Sequence, residues 1–350
     1  MKQLNRRSFI KDTIKLTLCT PLMSADFRFK DKYSVAAEGN IMTVNGMVKS
    51  SDLGFTLSHE HILVDFIGAD NYISSRWNHD DVIRVVKPYL EEIKALGCHS
   101  FVECTPEYIG RDPELLKKIS NQTGMIFLTN TGFYGAADNK YMPKKAYELD
   151  SRGLSELWIK ESESGINGTG VKPGFMKIGV APAPLSELHQ KIVSAAGLTH
   201  LETGLSIASH TGPAVPAFEE IELLQSLGIA PEAFIWVHAQ NESDSSLRLK
   251  AAKMGAWISM DGLSPKNVDQ YVNWLIDFKK NDLLNKVLIS HDAGWYSPDE
   301  ENGGSFTPYT AVFNELIPKL KTNGFTSFDI HQVFVSNPGM AFSIKVRKAQ

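Results

Sequence analysis

Histidines that close apolar runs are the first chemistry this sequence offers. Thr56-Leu57-Ser58-His59-Glu60-His61 ends one such run. In a β-strand, residues two apart point to the same side, so His59 and His61 aim together while Glu60 faces away. Ala208-Ser209-His210-Thr211 and Ile235-Trp236-Val237-His238 each bring a later run to a single imidazole, and Leu288-Ile289-Ser290-His291-Asp292 ends on a carboxylate. Taken singly, each is ordinary. A lone histidine is usually a hydrogen-bonded core or surface residue, and His-x-His alone is a weak signal. Taken together, four imidazoles and a carboxylate at four strand ends suit zinc or a similar first-row divalent metal.

Lys177 is the unusual member, set within the apolar run Phe175-Met176-Lys177-Ile178-Gly179. Burying an ammonium in such a strand is costly unless it is neutralised or paired. A neutral amine near metals can take up carbon dioxide and become an anionic carbamate, an N6-carboxylysine able to bridge two ions.

These residues need elements to hold them. After residue 50, short apolar runs alternate with longer amphipathic stretches. The expected strands are Phe55–Ile62, Ser100–Cys104, Met125–Asn130, Gly174–Val180, Leu205–His210, Phe234–His238, Ala256–Met260 and Lys286–Asp292. Between them, Asp81–Leu96 places Val82, Val85, Val86, Tyr89, Leu90 and Ile93 at helical spacing. Pro213–Leu227 opens on proline and stops before Gly228, and Gln270–Lys280 and Ala311–Lys321 behave alike. Eight strands each followed by a helix predict an α/β fold, a (β/α)8 TIM barrel in one domain, with catalytic groups at the C-terminal strand ends. Periodicity alone leaves an open doubly wound sheet as the alternative, which the lack of a Gly-rich nucleotide fingerprint after the first strand weakens.

Composition narrows the partners. A formal net charge of −4 gives no basic excess for nucleic acid. No apolar run reaches the roughly 18 residues that span a bilayer. Cys98 and Cys104 bracket one strand and are expected as free, buried packing thiols, because that strand holds them too far apart for a disulfide.

Gly54-Phe55-Thr56-Leu57-Ser58-His59-Glu60-His61 resembles the opening signature of the phosphotriesterase family of the amidohydrolase superfamily, which includes the phosphotriesterase-like lactonases. The lysine, the two later histidines and the aspartate follow in the family's order, and Val335-Ser336-Asn337-Pro338-Gly339-Met340-Ala341 resembles its closing segment. The resemblance runs from about residue 40 to 345. It implies that His59, His61 and Asp292 hold a buried metal and that His210 and His238 hold an exposed one. Carboxylated Lys177 and a hydroxide would bridge them. The implied reaction is ester hydrolysis by that hydroxide, with two divalent ions, zinc foremost, and with Asp292 accepting a proton.

Some positions depart from that pattern. The phosphotriesterases pair a histidine after the seventh strand with an aspartate after the sixth; here Gly262 and Asn241 stand there. The lactonases carry arginine at Gly262, and Asp261 beside it is retained. Tyr134, in Thr131-Gly132-Phe133-Tyr134, falls where the lactonases carry tyrosine. A small-molecule lactone is therefore the expected substrate. A phosphotriester or phosphodiester is the alternative, and a metal-binding protein without catalysis a remote third. Tyr134 is expected to orient the scissile carbonyl and, with Trp295, to line an apolar pocket. The segment from Gly294 to Tyr309 is expected to be a specificity loop with a mobile, solvated tip. Homodimerisation stays open.

Residues 1–37 read as a leader and linker before a barrel spanning 38–350. Arg6-Arg7-Ser8-Phe9-Ile10-Lys11 resembles a twin-arginine export signal, which implies a periplasmic enzyme exported already folded. A disordered basic leader on a cytoplasmic protein is the alternative. Cys19 follows Leu18, too large a residue for the usual lipoprotein cleavage pattern.

Overall fold

A computed structural model describes residues 39–73 and 76–349. The expected leader, with Arg6, Arg7 and Cys19, lies outside the described residues. The chain begins with a hairpin not foreseen from the sequence, β1 (Asn40–Thr43) against β2 (Gly46–Lys49). Every expected barrel strand then follows, somewhat trimmed at its ends: β3 (Thr56–Glu60), β4 (Ser100–Glu103), β5 (Ile126–Leu128) continued by β6 (Asn130–Thr131), β7 (Phe175–Gly179), β8 (Ile207–His210), β9 (Phe234–Val237), β10 (Trp257–Met260) and β11 (Val287–Ile289).

All barrel pairings are parallel. The expected third strand, Met125–Asn130, is broken at Thr129. Its first piece, β5, pairs with β4 and its second, β6, with β7, so the two pieces serve different neighbours. The ring closes where β11 returns to β3, through His61 N donating to Ala293 O at 2.9 Å and Asp292 N donating to His59 O at 3.2 Å. The β/α alternation is thus a closed barrel rather than an open sheet.

Helices α1 (His79–Ala95), α2 (Pro113–Thr123), α3 (Lys144–Glu148), α4 (Ser151–Ser164), α5 (Glu187–Thr203), α6 (Ala214–Ser226), α7 (Ser245–Met254) and α8 (Val268–Lys280) form the outer layer. Asn78, Asp112, Asp150, Ser186 and Asp244 cap α1, α2, α4, α5 and α7 by accepting backbone N–H groups of the first turn. The stretch expected as one helix over Ala311–Lys321 is a π-helical turn, Val312–Leu316, running into α9 (Ile317–Thr322).

Strand alternation sorts the core into two parts. Val102, Leu128, Phe175, Ala208, Ile235, Val237 and Leu288 fill the barrel, with Ile41, Leu53 and Phe342 in the same cluster. Phe101, Phe127, Met176, Ile178, Trp236, Ile258 and Ile289 point outward into the helix layer. Lys177, between Met176 and Ile178, therefore points inward. Cys98 and Cys104 are free and buried, as expected. Among the described residues, no helix is long and apolar enough to cross a membrane.

Candidate metal centre

All six residues expected as metal ligands meet at the C-terminal end of the barrel strands. His59 would not face inward on a regular strand, because Leu57 two residues earlier faces the helices. The pairing of β3 with β4 slips between Leu57 and Glu60, leaving one extra residue on β3. That bulge turns His59 into the barrel. His59 and His61 then converge on one carboxylate oxygen: their Nε2 atoms lie 3.3 Å and 2.9 Å from Asp292 Oδ1. On the far side, His238 Nε2 is 2.8 Å from His210 Nδ1. Lys177 Nζ sits 3.3 Å from His59 Nε2 and is 2% exposed, with no carboxylate in ion-pair range among the described residues.

The backbone is bent to deliver two of these groups. His238 and Asp292 hold φ of 60° and 55°, a left-handed conformation that costs a residue with a Cβ on the order of 1 kcal/mol or more. Gly294 lets the chain pass His61 closely; a Cβ there would lie 1.9 Å from His61 O.

A second layer fixes which ring nitrogen faces inward. Asp261, wholly buried, accepts from His238 Nδ1 at 2.6 Å and lies 3.2 Å from His59 Nδ1, so one carboxylate orients an imidazole of each pair. Ser259 Oγ and Gln240 Nε2 also donate to it, at 2.6 Å and 3.0 Å. His61 Nδ1 meets Thr105 Oγ1 at 2.8 Å. With Nδ1 engaged in this way, His59, His61 and His238 can each take the tautomer that leaves Nε2 free for a metal; without one, the Nε2 atoms of His59 and His61 are the donors to Asp292.

The electrostatics agree. Burial, then the charge of His238 and of Lys177, pushes His210 well below the usual histidine range. Burial also lowers His61, against the pull of Asp292. For Asp292, burial favours the neutral acid, but hydrogen bonds from His59 and His61 prevail and hold the carboxyl well below its ordinary value. His59 goes the other way: against its burial, Cys104 and Asp261 raise it well above the ordinary histidine value. The lowered His61 and His210, the ionised Asp292 and a buried amine with no carboxylate in ion-pair range among the described residues fit a pair of divalent cations.

Tyr134 stands over this centre, its hydroxyl 3.1 Å from His210 Nδ1. Burial, then the charge of Asp292, raises its ionisation far above the ordinary phenol value, so it remains a proton donor. Trp295 lies at the other end, its ring 5.9 Å from that of His61. The two expected pocket residues do not touch. An arc of rings joins them: Trp295 to Phe66 at 5.6 Å, Phe66 to Tyr141 at 6.2 Å, and Tyr141 to Tyr134 at 5.9 Å. Phe66 and Tyr141 escaped notice in the sequence because both lie in loops without periodicity.

The Gly294–Tyr309 loop is exposed at its tip and anchored by its aromatic residues. Its tip is exposed around Asp299–Asn302, but Tyr296, Phe306 and Tyr309 are buried. Phe306 packs on Tyr89 at 4.6 Å, and Tyr309 donates to His61 O at 2.6 Å, so both brace the loop. At Gly262 there is no side chain to reach a substrate. Its N–H donates to Tyr271 Oη, and the Gln240 amide occupies the space a Cβ would enter.

A closed parallel barrel with four histidines, an aspartate and a buried lysine gathered at its C-terminal strand ends defines a metal-dependent hydrolase. The sequence model of the phosphotriesterase family matches residues 39–342, and the chain belongs to that family. It is 27% identical over 293 residues to a phosphotriesterase homology protein of Escherichia coli, covering 83% of this chain and 98% of that one. An aryldialkylphosphatase of Saccharolobus solfataricus is 27% identical over 307 residues, covering 85% and 97%. Among solved structures, a mutant phosphotriesterase-like lactonase of Deinococcus radiodurans superposes with a TM-score of 0.78 at 25% identity, covering 87% of this chain and all of that one. The family is binuclear and metal-dependent, and this chain is a metal-dependent ester hydrolase.

Proposed function

We propose that the chain hydrolyses a lactone and that it holds two zinc ions, one on His59, His61 and Asp292, the other on His210 and His238, with a carboxylated Lys177 between them. The observation that carries the metal assignment is the convergence of ring Nε2 atoms on Asp292 and around a buried amine that has no carboxylate in ion-pair range among the described residues. Bound there, such ions supply Lewis acidity and an acidified water. The protein's own groups do the rest. Asp292 keeps Oδ1 on the two histidines, while its side chain remains 24% exposed, so the carboxylate is open to accept a proton during attack. The Tyr134 phenol donates one directed hydrogen bond to the scissile carbonyl. The arc from Trp295 to Tyr134 receives the apolar part of the acyl chain.

The lactone reading rests on Tyr134 beside His210, on the lactonase named among the similar structures, and on Gly262 and Asn241, which provide no histidine–aspartate relay for a phosphotriester. The similarity to an aryldialkylphosphatase favours the phosphotriester as second reading. Turnover of a lactone panel, a paraoxon-like triester and a phosphodiester, with metal content measured on the same sample, separates them. Lactones should show the highest kcat/KM. A triester turned over faster than every lactone overturns the substrate, and full activity after rigorous chelation overturns the metals. The proposed periplasmic address rests on Arg6 and Arg7; replacing both by lysine should retain the protein in the cytoplasm.

A further inference from the structure

Glu60 sits between two metal-facing histidines and points away from them. It is wholly buried, and it is neither exposed to substrate nor aimed at the metal centre. Its carboxylate is nonetheless fully used. Oε1 accepts from Ser290 Oγ at 2.6 Å, from His291 N at 3.0 Å and from His291 Nδ1 at 2.6 Å. Oε2 accepts from Ala293 N at 2.9 Å. The His291 ring is held from its other side too, its Nε2 accepting from Val312 N at 3.0 Å. Since that nitrogen is an acceptor, the ring proton lies on Nδ1, toward Glu60.

The residue enclosed by these bonds is Asp292. Its two neighbours, His291 and Ala293, are both gripped through their backbone N–H groups by the same carboxylate. Asp292 itself holds φ of 55°, a conformation that persists in a non-glycine residue only when its surroundings over-determine it. Its own N–H donates to His59 O. The turn therefore has three backbone anchors on β3, two of them supplied by one side chain.

We infer that Glu60 is a positioning residue: through Ser290, His291 and Ala293 it holds the left-handed turn that aims the Asp292 carboxylate at His59 and His61. This rests on the reading of Asp292 as a metal ligand. It explains why the middle residue of the His-x-His motif is a carboxylate. The strand that presents two ligands thereby also sets the third, which arrives from the opposite end of the chain. Release of the clamp lets Asp292 relax toward negative φ, and the carboxylate leaves the two Nε2 atoms.

Glu60→Gln tests this. The amide keeps one acceptor but opposes an N–H donor to the Ala293 N–H, so one side of the clamp is lost without change of volume. Zn2+ affinity is measured by chelator competition on the folded variant, checked by circular dichroism and size exclusion, together with the rise in Tm on adding Zn2+. We expect about 10- to 100-fold weaker binding of one of the two ions, the range for lost partners of metal ligands. The Zn2+-dependent rise in Tm shrinks with it. A purely structural Glu60 would instead lower the metal-free and Zn2+-loaded Tm alike, and that result, or parent-like Zn2+ affinity, overturns the inference. Ser290→Ala, which removes a single hydroxyl, carries the same test if Glu60→Gln does not fold, with a smaller loss expected and an unchanged affinity again overturning it. The parent chain and His61→Ala are run alongside. A parent that takes up no Zn2+ defeats the metal reading itself, whereas a two-zinc parent matched by Glu60→Gln defeats only the clamp.

Discussion

Asp261→Asn tests how far the metal centre depends on its second layer. The side chain is wholly buried, so an isosteric amide leaves no cavity, and any effect comes from hydrogen bonding. The carboxylate receives His238 Nδ1, the His238 backbone N–H, Ser259 Oγ and Gln240 Nε2, and faces His59 Nδ1. Burial favours the neutral acid, but His238 and His59, which face the carboxylate through Nδ1, prevail and hold Asp261 well below the ordinary carboxyl value. Asparagine can offer one oxygen only. Its NH2 must then face a donor, and the cheapest relief is for one imidazole to move its proton from Nδ1 to Nε2. That nitrogen points at the metals, so the imidazole ceases to be a ligand. Loss of one outer-shell partner typically costs about 10- to 100-fold in metal affinity or activity. Since one imidazole, of His59 or of His238, is lost as a ligand, the predicted loss is about 10- to 100-fold, about 1.4 to 3 kcal/mol at 1.4 kcal/mol per decade. Chelator competition gives the affinity, and lactone turnover against free Zn2+ gives the activity, with partial recovery at high metal. An Asp261→Asn enzyme that keeps two ions at parental affinity and parental kcat would refute the tautomer argument.

Three further outcomes follow from the same geometry. Lys177→Ala should lower metal occupancy, and added acetate or propionate should restore part of the activity by taking the place of the bridge; normal two-metal binding without added acid removes that role. Tyr134→Phe should slow lactone turnover by about 10- to 100-fold, in keeping with one lost transition-state hydrogen bond of roughly 1.5 to 3 kcal/mol, and slow triester turnover less. Equal losses on both would count against a carbonyl-directed phenol. Glu220 is wholly buried against Ser209 and Thr211, which flank His210, and burial pushes its carboxyl up to about 8. A raised acid stabilises the fold fully below its unfolded value near 4.3, and that contribution is lost as pH climbs toward about 8. Glu220→Gln should remove this slope, so urea unfolding from pH 5 to 8 should show the parent falling relative to the variant by on the order of a few kcal/mol, whereas parallel curves would exclude the effect.

The sequence already contained the strand-end chemistry. His210, His238 and Asp292 could be read as ligands because each closes an apolar run; a period of two gives His210 and Asp292 their inward face, whereas His238 shares its period with outward-facing Trp236 and turns inward only through its left-handed backbone. Lys177 stood out for the same reason, an ammonium in an inward-facing strand position. The barrel was legible from repetition of strand and helix, since each amphipathic stretch must cover an apolar strand. Capping residues such as Asp112 and Ser186 are local signals of the same kind.

Long-range pairing decided the remainder. The extra residue on β3 exists only in register against β4, and without it His59 would face the helices. Asp261 beside Gly262 looked like a retained family residue, but its bridge between His59 and His238 needed three strand ends brought together. Phe66 and Tyr141 join Trp295 to Tyr134 only because loops distant in sequence meet above the barrel. Glu60, read as merely turned away, acquired a task once closure brought β11 against β3. Local patterns report which face a residue takes, because that depends on the geometry of its own strand. Which residue it meets there depends on chain closure over hundreds of residues, a property that no window of sequence contains.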